Sequence, residues 1–459
     1  MMRLSEAAVA TQGRVIGQDA LFTSVGTDSR NLTQGQLFVA LHGEHFDGHA
    51  YAQPCMEQGA VAAMISAPQA GLSSALLVQD TRLALGNLAA HWRSKFTIPL
   101  AAITGSNGKT TVKEMLASIL RAATGDDDAV LATQGNLNND IGLPLTLLKL
   151  RSQHKYAVAE MGMNHPGEIS YLTRIGLPTV ALINNATMAH LGGLGTIEAI
   201  ALAKGEIFEG LVADGIAVIN ADDAFAPLWH RLAAQHKVLT FGLEHATDVS
   251  ASYQLHADGS TLQMNGPQGL AEFSLAVAGV HNVRNALAAA TAALAMGVPL
   301  SAITAGLAAF GGVKGRLQLK AGINGAQIID DTYNANPASM KAAIDVLAVR
   351  PGEKLLVLGD MGELGADAAK LHAEIGRYAR RAGIDALFVL GDLSHEAVAA
   401  FAVDGEQSCA RHYATPEALA ADLTQHMGAA ASVLVKGSRF MRMERVVNLI
   451  TKEKNGEGH

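Results

Sequence analysis

The sequence predicts an α/β protein of three domains, the central one built on a mostly parallel sheet. Three observations carry this. Short apolar runs such as IPLAAIT (98–104) alternate with longer helical patterns such as VKEMLASILRAA (112–123), the rhythm of parallel strands joined by crossover helices. The 459 residues correspond to three domains at roughly 150 residues each. A glycine-rich turn, GSNG (105–108), ends one of the apolar runs and opens a helix.

The elements follow in order. Residues 1–85 form a short mixed block with strand-like LFVAL (37–41) and VAAMIS (61–66). Residues 86–312 form the central block, with strands in IPLAAIT, YAVAEMG (156–162), TVALINNA (179–186) and GIAVINADD (215–223). Near 250–278 the hydrophobic period shortens to two, which marks an antiparallel excursion with glycine turns. A helical stretch, 281–297, follows. The segment FGGVKGR (310–316) is the expected linker into a third block, 313–459. That block alternates again, through KLLVLGDM (354–361), a helix over 368–382, ALFVLG (386–391), another helix, ASVLVKGS (431–438) and a closing helix, as in a smaller Rossmann-like domain.

Composition narrows the function. Apolar residues make up 49% and charged residues 17%, so the chain has enough apolar matter for packed cores. Lys and Arg total 34 against 42 Asp and Glu, a net charge of −8 with no basic run, which argues against a nucleic-acid partner. Cys55 and Cys409 lie far apart and form no CxxC pair, so neither a disulfide scaffold nor a cysteine zinc site is expected. No leader-like start and no apolar run of spanning length is present, so a cytoplasmic location without a membrane span is expected.

The strongest local signal is ITGSNGKTT (103–111). Glycines let the backbone curl until its N–H groups point at phosphate oxygens, and the helix start adds its dipole. Gly105, Ser106, Asn107 and Gly108 form the loop; Lys109 suits the outer phosphates, and the hydroxyls of Thr110 and Thr111 suit phosphate or Mg²⁺. Ile103 stands where the usual GxxxxGK[ST] spacing has its first glycine, so the loop is GxxGKT. Glu160, near the end of an otherwise apolar strand, is a second candidate Mg²⁺ ligand. His190 in a glycine-rich loop and Lys204 in the next helix suit structural roles on pattern alone. Asn282 and Asn285, three apart at a helix start, suit either a cap or a base edge. DDTYNANP (330–337) has the polar density of a site, although a capped turn accounts for much of it, and Lys436 and Arg439 in VLVKGSRFMRME suit an anionic ligand or a solvated loop.

Taken together, TGSNGKTT, AEMGMN (159–164), the His190-to-Lys204 segment, HNVRNALAA (281–289) and the glycine-linked third block resemble the Mur ligases, ATP-dependent amide-bond-forming enzymes of peptidoglycan synthesis. The resemblance covers nearly the whole chain. DDTYNANPASM and LGDMGELG (358–365) are similar to the branch that adds D-alanyl-D-alanine to a UDP-MurNAc-tripeptide; the DNPR-type motif of the diaminopimelate-adding branch is absent. TDSR (27–30) with GQLFVALHGEHFDGH (35–49) is similar to the module that holds the UDP-sugar.

The resemblance implies a UDP-substrate domain, a central ATPase domain and a C-terminal domain that closes over the site. It implies ATP and Mg²⁺, with two ions and the second held by a carbamylated Lys204. It assigns Lys109, Glu160, His190 and Lys204 to catalysis, and Thr110, Glu160 and Lys204 to metal. Asn282, Asn285, Arg316, Asp331 and Tyr333 join the phosphate loop at the nucleotide. Ser29, Arg30, Asp47, Asn138 and Asn139 go to the UDP-sugar substrate, and Asn334 and Asn336 to the incoming dipeptide. A monomer is expected. Two other readings stay open: a folylpolyglutamate synthase, which would begin almost directly at the phosphate loop, and a motor-type nucleotide binder without a small-molecule acceptor.

Overall fold

The computed structural model describes residues 1–187, 195–402 and 410–451. The first block is a five-stranded sheet of β1 (Arg14–Gly17), β2 (Ser24–Gly26), β3 (Gln36–Val39), β4 (Ala62–Ile65) and β5 (Ser74–Leu77). Their order is β1-β5-β4-β3-β2, with β1 antiparallel to β5 and the other pairs parallel. Helix α1 (Thr81–Arg93) follows, its N-terminus capped by the Asp80 carboxylate, which accepts the N–H groups of Arg82 and Leu83. Residue 85, the expected domain boundary, falls inside this helix. Its apolar stripe, Ala84, Leu85, Leu88, Ala89 and Trp92, lies in one core with Leu76 of the first block and Leu100, Leu143 and Leu172 of the second. The first two blocks are therefore fused through one hydrophobic core.

The central sheet contains β6 (Leu100–Thr104), β7 (Val130–Ala132), β8 (Tyr156–Glu160), β9 (Val180–Ile183), β10 (Ile216–Asn220) and β11 (Lys237–Phe241) in the order β7-β8-β6-β9-β10-β11, all parallel. Continuous apolar runs are what a strand covered on both faces requires. Helices α2 (Lys109–Thr124), α4 (Val280–Ala295) and α5 (Leu300–Ala308) supply one cover, in a core with Ile103, Val158 and Leu182. Helix α3 (Ile197–Gly205) contributes Ile200, Ala201 and Ala203 to the other. The expected excursion is a three-stranded antiparallel sheet, β12 (Ser250–Leu255), β13 (Ser260–Gly266) and β14 (Gly269–Leu275). Along β13, Ser260, Leu262 and Met264 are buried while Gln263 and Asn265 are exposed, the alternation of a sheet with one wet face.

The third block is a second α/β unit: β15 (Gln318–Ala321), β16 (Gln327–Asp331), α6 (Pro337–Ala348), β17 (Lys354–Gly359), β18 (Ala386–Leu390), β19 (Ala410–Tyr413) and β20 (Ser432–Lys436), ordered β15-β16-β20-β17-β18-β19. Only the edge strand β15 is antiparallel. Among the described residues no helix is long and apolar enough to cross a membrane.

Candidate nucleotide site at the carboxyl end of the central sheet

In the central sheet β6 leads through α2 to one side, while β9 is added on the other. The crevice at this reversal is where an open parallel sheet takes a ligand. Register fixes what faces it. Ile103 is paired with Glu160 and Thr104 with Ile183, so the ends of β8 and β9 flank the turn that leaves β6.

The turn is held from behind by amides. Gly105 and Gly108 have φ of 155° and 79°, and α2 begins at Lys109. A Cβ on Gly108 would lie 2.4 Å from Asn285 Oδ1 and 2.5 Å from Asn184 Nδ2, so glycine is required there twice, by backbone angle and by space. Asn184 Nδ2 donates to the Asn107 carbonyl at 2.9 Å and to Asn285 Oδ1 at 3.0 Å; Asn285 Nδ2 donates to Asn282 Oδ1 at 3.2 Å. Asn282 Nδ2 ends the chain on the Ala278 carbonyl. On the other flank, the Asn107 N–H donates to Asn185 Oδ1 at 2.8 Å, and Ser106 and Thr187 exchange hydrogen bonds.

The front of the loop carries the charged groups. The Lys109 ammonium donates to the Gly105 carbonyl at 2.6 Å. Burial pushes its pKa down; Glu160 opposes this and Arg316 adds to it. Thr110 Oγ1 donates to Glu160 Oε2 at 2.9 Å and accepts from Arg316 Nη2 at 3.0 Å. Glu160 is buried, its other carboxylate oxygen accepts from Asn138 Nδ2 at 2.8 Å, and its N–H donates to Thr133 Oγ1. Lys204 is 2% exposed, and among the described residues its ammonium has no hydrogen-bond or ion-pair partner. Burial pushes its pKa well below the usual lysine range, with Lys109 adding to the effect. His190 lies outside the described residues.

The third block reaches in from above. Arg316 stacks on the Tyr333 ring with its guanidinium carbon 4.3 Å from the ring centre, and its buried Nε has no hydrogen-bond partner among the described residues. Asn336 is the N-cap of α6, in a capping box with Ser339, and its Nδ2 donates to Asn107 Oδ1 at 2.7 Å. Asp331 accepts from Lys436 Nζ at 2.5 Å and from the Leu317 N–H, while the exposed Asn334 offers its carbonyl to the same lysine. His281 faces Asp331, Lys436, Arg284 and Asp345; burial lowers its pKa to about 4, against the pull of Asp331.

The residues expected to hold a UDP-sugar divide. Ser29 and Arg30 share a surface turn in which Arg30 pairs with Asp28 at 2.9 Å. Asp47 accepts the N–H and Nδ1 of the buried His49, whose Nε2 accepts from the Ser66 N–H. Asn138 belongs to Glu160, and Asn139 Oδ1 accepts from the Gly142 N–H at the start of the helix Gly142–Leu147. Beside them Asp140 pairs with Arg82 of α1, which ties this loop to the first block. Sequence reasoning missed Asn184, Asn185, Thr133 and His281. The amides had a visible signal, NNAT at the end of a strand adjacent to the phosphate-loop strand.

The arrangement suits an anionic nucleotide. The Ser106 and Asn107 N–H groups are taken by Asn185, but the start of α2 opens on the crevice, Lys109 and Arg316 supply positive charge, and among the described residues the buried Arg316 Nε has no partner. The Thr110 hydroxyl and Glu160 carboxylate are hard oxygen donors of the kind Mg²⁺ takes alongside phosphate oxygens. Among the described residues no group of three or more His, Cys, Asp and Glu is gathered for a metal, so an ion here would share its coordination with the ligand.

Comparison with known proteins agrees with this geometry along the whole chain. Residues 21–93 match the Mur ligase family catalytic domain, 103–293 the Mur ligase middle domain and 315–439 the Mur ligase glutamate ligase domain. The UDP-N-acetylmuramoyl-tripeptide–D-alanyl-D-alanine ligase of Escherichia coli is 41% identical, over 99% of this chain and 98% of its own. The crystal structure of MurF from Acinetobacter baumannii superposes with a TM-score of 0.90 at 38% identity, covering 97% of this chain and 98% of its own. MurF ligase from Thermotoga maritima, solved in complex with ADP, has a TM-score of 0.82 at 28% identity, covering 94% of this chain and 98% of its own.

Proposed function

This chain belongs to the Mur ligase family, and from that premise we propose that it joins D-alanyl-D-alanine to UDP-MurNAc-tripeptide at the expense of ATP, giving UDP-MurNAc-pentapeptide, ADP and phosphate. One observation carries the link between site and reaction. The Thr110 hydroxyl meets a carboxylate of the central domain, Glu160, and a guanidinium of the third, Arg316. A phosphate held at this loop is thus met by groups from two domains, as a reaction needing closure before chemistry requires.

A carboxylate is a poor acyl donor because its leaving group would be oxide, and phosphorylation replaces that group. In the first step the terminal carboxylate oxygen of the tripeptide bonds to the γ-phosphorus as the bond to ADP breaks. In the second, the dipeptide amine bonds to the carbonyl carbon of the acyl phosphate, the bond to phosphate breaks, and the amine loses a proton. The first step brings two anions together, so the site must supply positive charge and alignment. Lys109 and Arg316 supply charge; the amide chain behind Gly108 holds the loop in shape. Thr110 and Glu160 would hold Mg²⁺, which supplies further charge neutralisation when bound. Ser29, Arg30, Asp47 and Asn139 are assigned to the UDP-sugar end, and Asn138, through Glu160, to the reacting end. Asp331 and Tyr333 shape the nucleotide site through Lys436 and Arg316, Asn282 and Asn285 support it from behind, and the exposed Asn334 faces the dipeptide.

Lys204 is assigned to a second Mg²⁺ as its carbamate. Its amine nitrogen would bond to the carbon of CO₂ and release a proton, leaving an anionic oxygen ligand. The lowered pKa supports this, since only the neutral amine reacts. His190, outside the described residues, is assigned to supporting a metal or orienting its own loop. Each chain carries the whole set of these groups, which suits a monomer.

The test is phosphate release from ATP and Mg²⁺ with UDP-MurNAc-tripeptide, adding or withholding D-Ala-D-Ala, with the product weighed by mass spectrometry. Release that depends on the dipeptide, with a pentapeptide product, is expected, and Lys204→Ala is expected to lose it with no rescue by bicarbonate. Release with folate and glutamate instead, or without any acceptor, would overturn the reading.

A further inference from the structure

Helix α6 is tied to the central domain at both ends. Its N-cap, Asn336, bonds to Asn107 of the phosphate loop. Twelve residues of helix carry the chain about 18 Å away. There, just past the last turn, Arg350 reaches back across the seam. Its Nη1 donates to the Ala257 carbonyl at 2.7 Å and its Nη2 to the Asp258 carboxylate at 2.7 Å. Both partners lie in the turn between β12 and β13, in the antiparallel excursion of the central domain. Between the two ties α6 rests on the start of α4: a Cβ on Gly279 would lie 2.8 Å from Val346 Cγ2.

The far tie is specific. Arg350 is 3% exposed, and its Nη2 also bonds to Gln327 of β16, so one guanidinium joins the excursion to the strand that leads into Asp331 and Tyr333. Burying a guanidinium is unfavourable unless fixed acceptors meet it; here a carbonyl, a carboxylate and an amide oxygen meet Nη1 and Nη2, while Nε has no partner among the described residues. A lysine would keep the charge and lose the fork that spans three acceptors. The near tie alone is one amide–amide hydrogen bond, worth about 1 kcal/mol. With the Arg316–Thr110 hydrogen bond it holds the domain at the phosphate loop only, so the far end of α6 needs its own anchor.

We propose that Arg350 is a positioning residue for the ligation. By anchoring the far end of α6 on the Ala257–Asp258 turn, it sets where Asn336 and Arg316 meet the phosphate loop. This rests on the ligase reading above. Arg350 touches no reacting group and acts through α6 and β16. Its loss therefore acts on the closed arrangement, and ATP contacts made by the central domain alone are spared.

The test is steady-state kinetics of Arg350→Ala, Arg350→Lys and Asp258→Ala, with Asn336→Ala alone and combined with Arg350→Ala. Arg350→Ala should lower kcat roughly tenfold or more, since small misplacements of catalytic groups have effects of that size. It should raise the dipeptide KM and leave the ATP KM within about twofold. Arg350→Lys should recover part of the loss. Asp258→Ala removes the ion-pair partner of the buried Arg350 guanidinium but leaves the Ala257 carbonyl and Gln327 as acceptors, so it should show a loss of the same kind, no larger than that of Arg350→Ala. The double variant should lose no more than the worse single one, because both ends act through one helix. Losses that multiply, a selective rise in ATP KM, or unchanged kinetics in Arg350→Ala and Asp258→Ala would overturn the proposal. Hydrogen exchange with ATP and Mg²⁺ present gives a readout without turnover: amides of 332–340 should exchange faster in Asp258→Ala than in the unsubstituted protein, and equal rates would overturn it. Wild-type protein inactive with these substrates would count against the ligase reading, while this exchange result would still decide the role of Arg350.

Discussion

His281 is the residue whose charge state the fold most clearly controls at the seam. It precedes Asn282 on α4, where Asp331 and Asp345 favour its protonated form and Lys436 and Arg284 oppose it. Burial outweighs the two acids and lowers its pKa to about 4. An unfolded histidine titrates near 6.5. Between these values the unfolded chain binds a proton that the folded chain refuses, so stability rises with pH across that window and is lost as pH falls through it. The thermal midpoint should therefore fall between pH 7 and pH 4.5, and His281→Asn should flatten that part of the curve. Thermal melts of both proteins across the range check this, and parallel curves would mean that His281 does not titrate in the window.

Helix α2 carries the phosphate loop at its head, and its position in the sheet depends on how closely α5 approaches it. Gly306 of α5 permits that approach: a Cβ there would lie 2.3 Å from Ile119 Cα and 2.6 Å from Ile119 N, and Ser118 Oγ donates to the Gly306 carbonyl at 2.7 Å. Gly306→Ala would gain about 1 kcal/mol of helix propensity. Overpacking of a core typically loses about 1–3 kcal/mol, and here the obstacle is backbone that no rotamer change can move aside. The loss should win, lowering the denaturation midpoint; a midpoint equal to or above wild type would show that the two helices can separate freely.

The same scale explains what was legible in the sequence. Strand and helix positions were, because they follow hydrophobic period: IPLAAIT, YAVAEMG and the 250–278 excursion lie on β6, β8 and β12–β14. The phosphate loop was legible because glycine spacing and a helix start are local. The junction near residue 85 was not, since α1 runs through it, Gly86 included, and the two blocks share a core that only folding assembles. The amide chain from Asn282 to Asn107 joins segments 77 and 101 residues apart, and nothing periodic announces it. Asn336 looked like a substrate contact, but its sequence, an asparagine before a proline at a helix start, also encodes the cap it forms.

At the scale of the whole molecule, the question is how a third domain with its own sheet takes part in chemistry at the central one. Arg316 stands just beyond Gly315, a residue with φ of 70°, and enters the site directly from the linker. One face of its guanidinium lies on Tyr333 and Nη2 reaches Thr110, while the buried Nε has no partner among the described residues. Leaving such a donor unpaired is unfavourable by about 1–3 kcal/mol, which an anionic oxygen at this position would relieve. A lysine at 316 would supply equal charge without the planar stack or the second donor. If Arg316 acted only as a positive charge, Arg316→Lys would turn over nearly normally. If its fork aligns the phosphate, Arg316→Lys should lose roughly tenfold to a hundredfold in dipeptide-dependent phosphate release. ADP affinity should fall less than turnover, because the loop and Lys109 remain. Calorimetric ADP binding beside the turnover assay separates the two cases, and a loss in affinity equal to the loss in turnover would place Arg316 in ground-state binding alone.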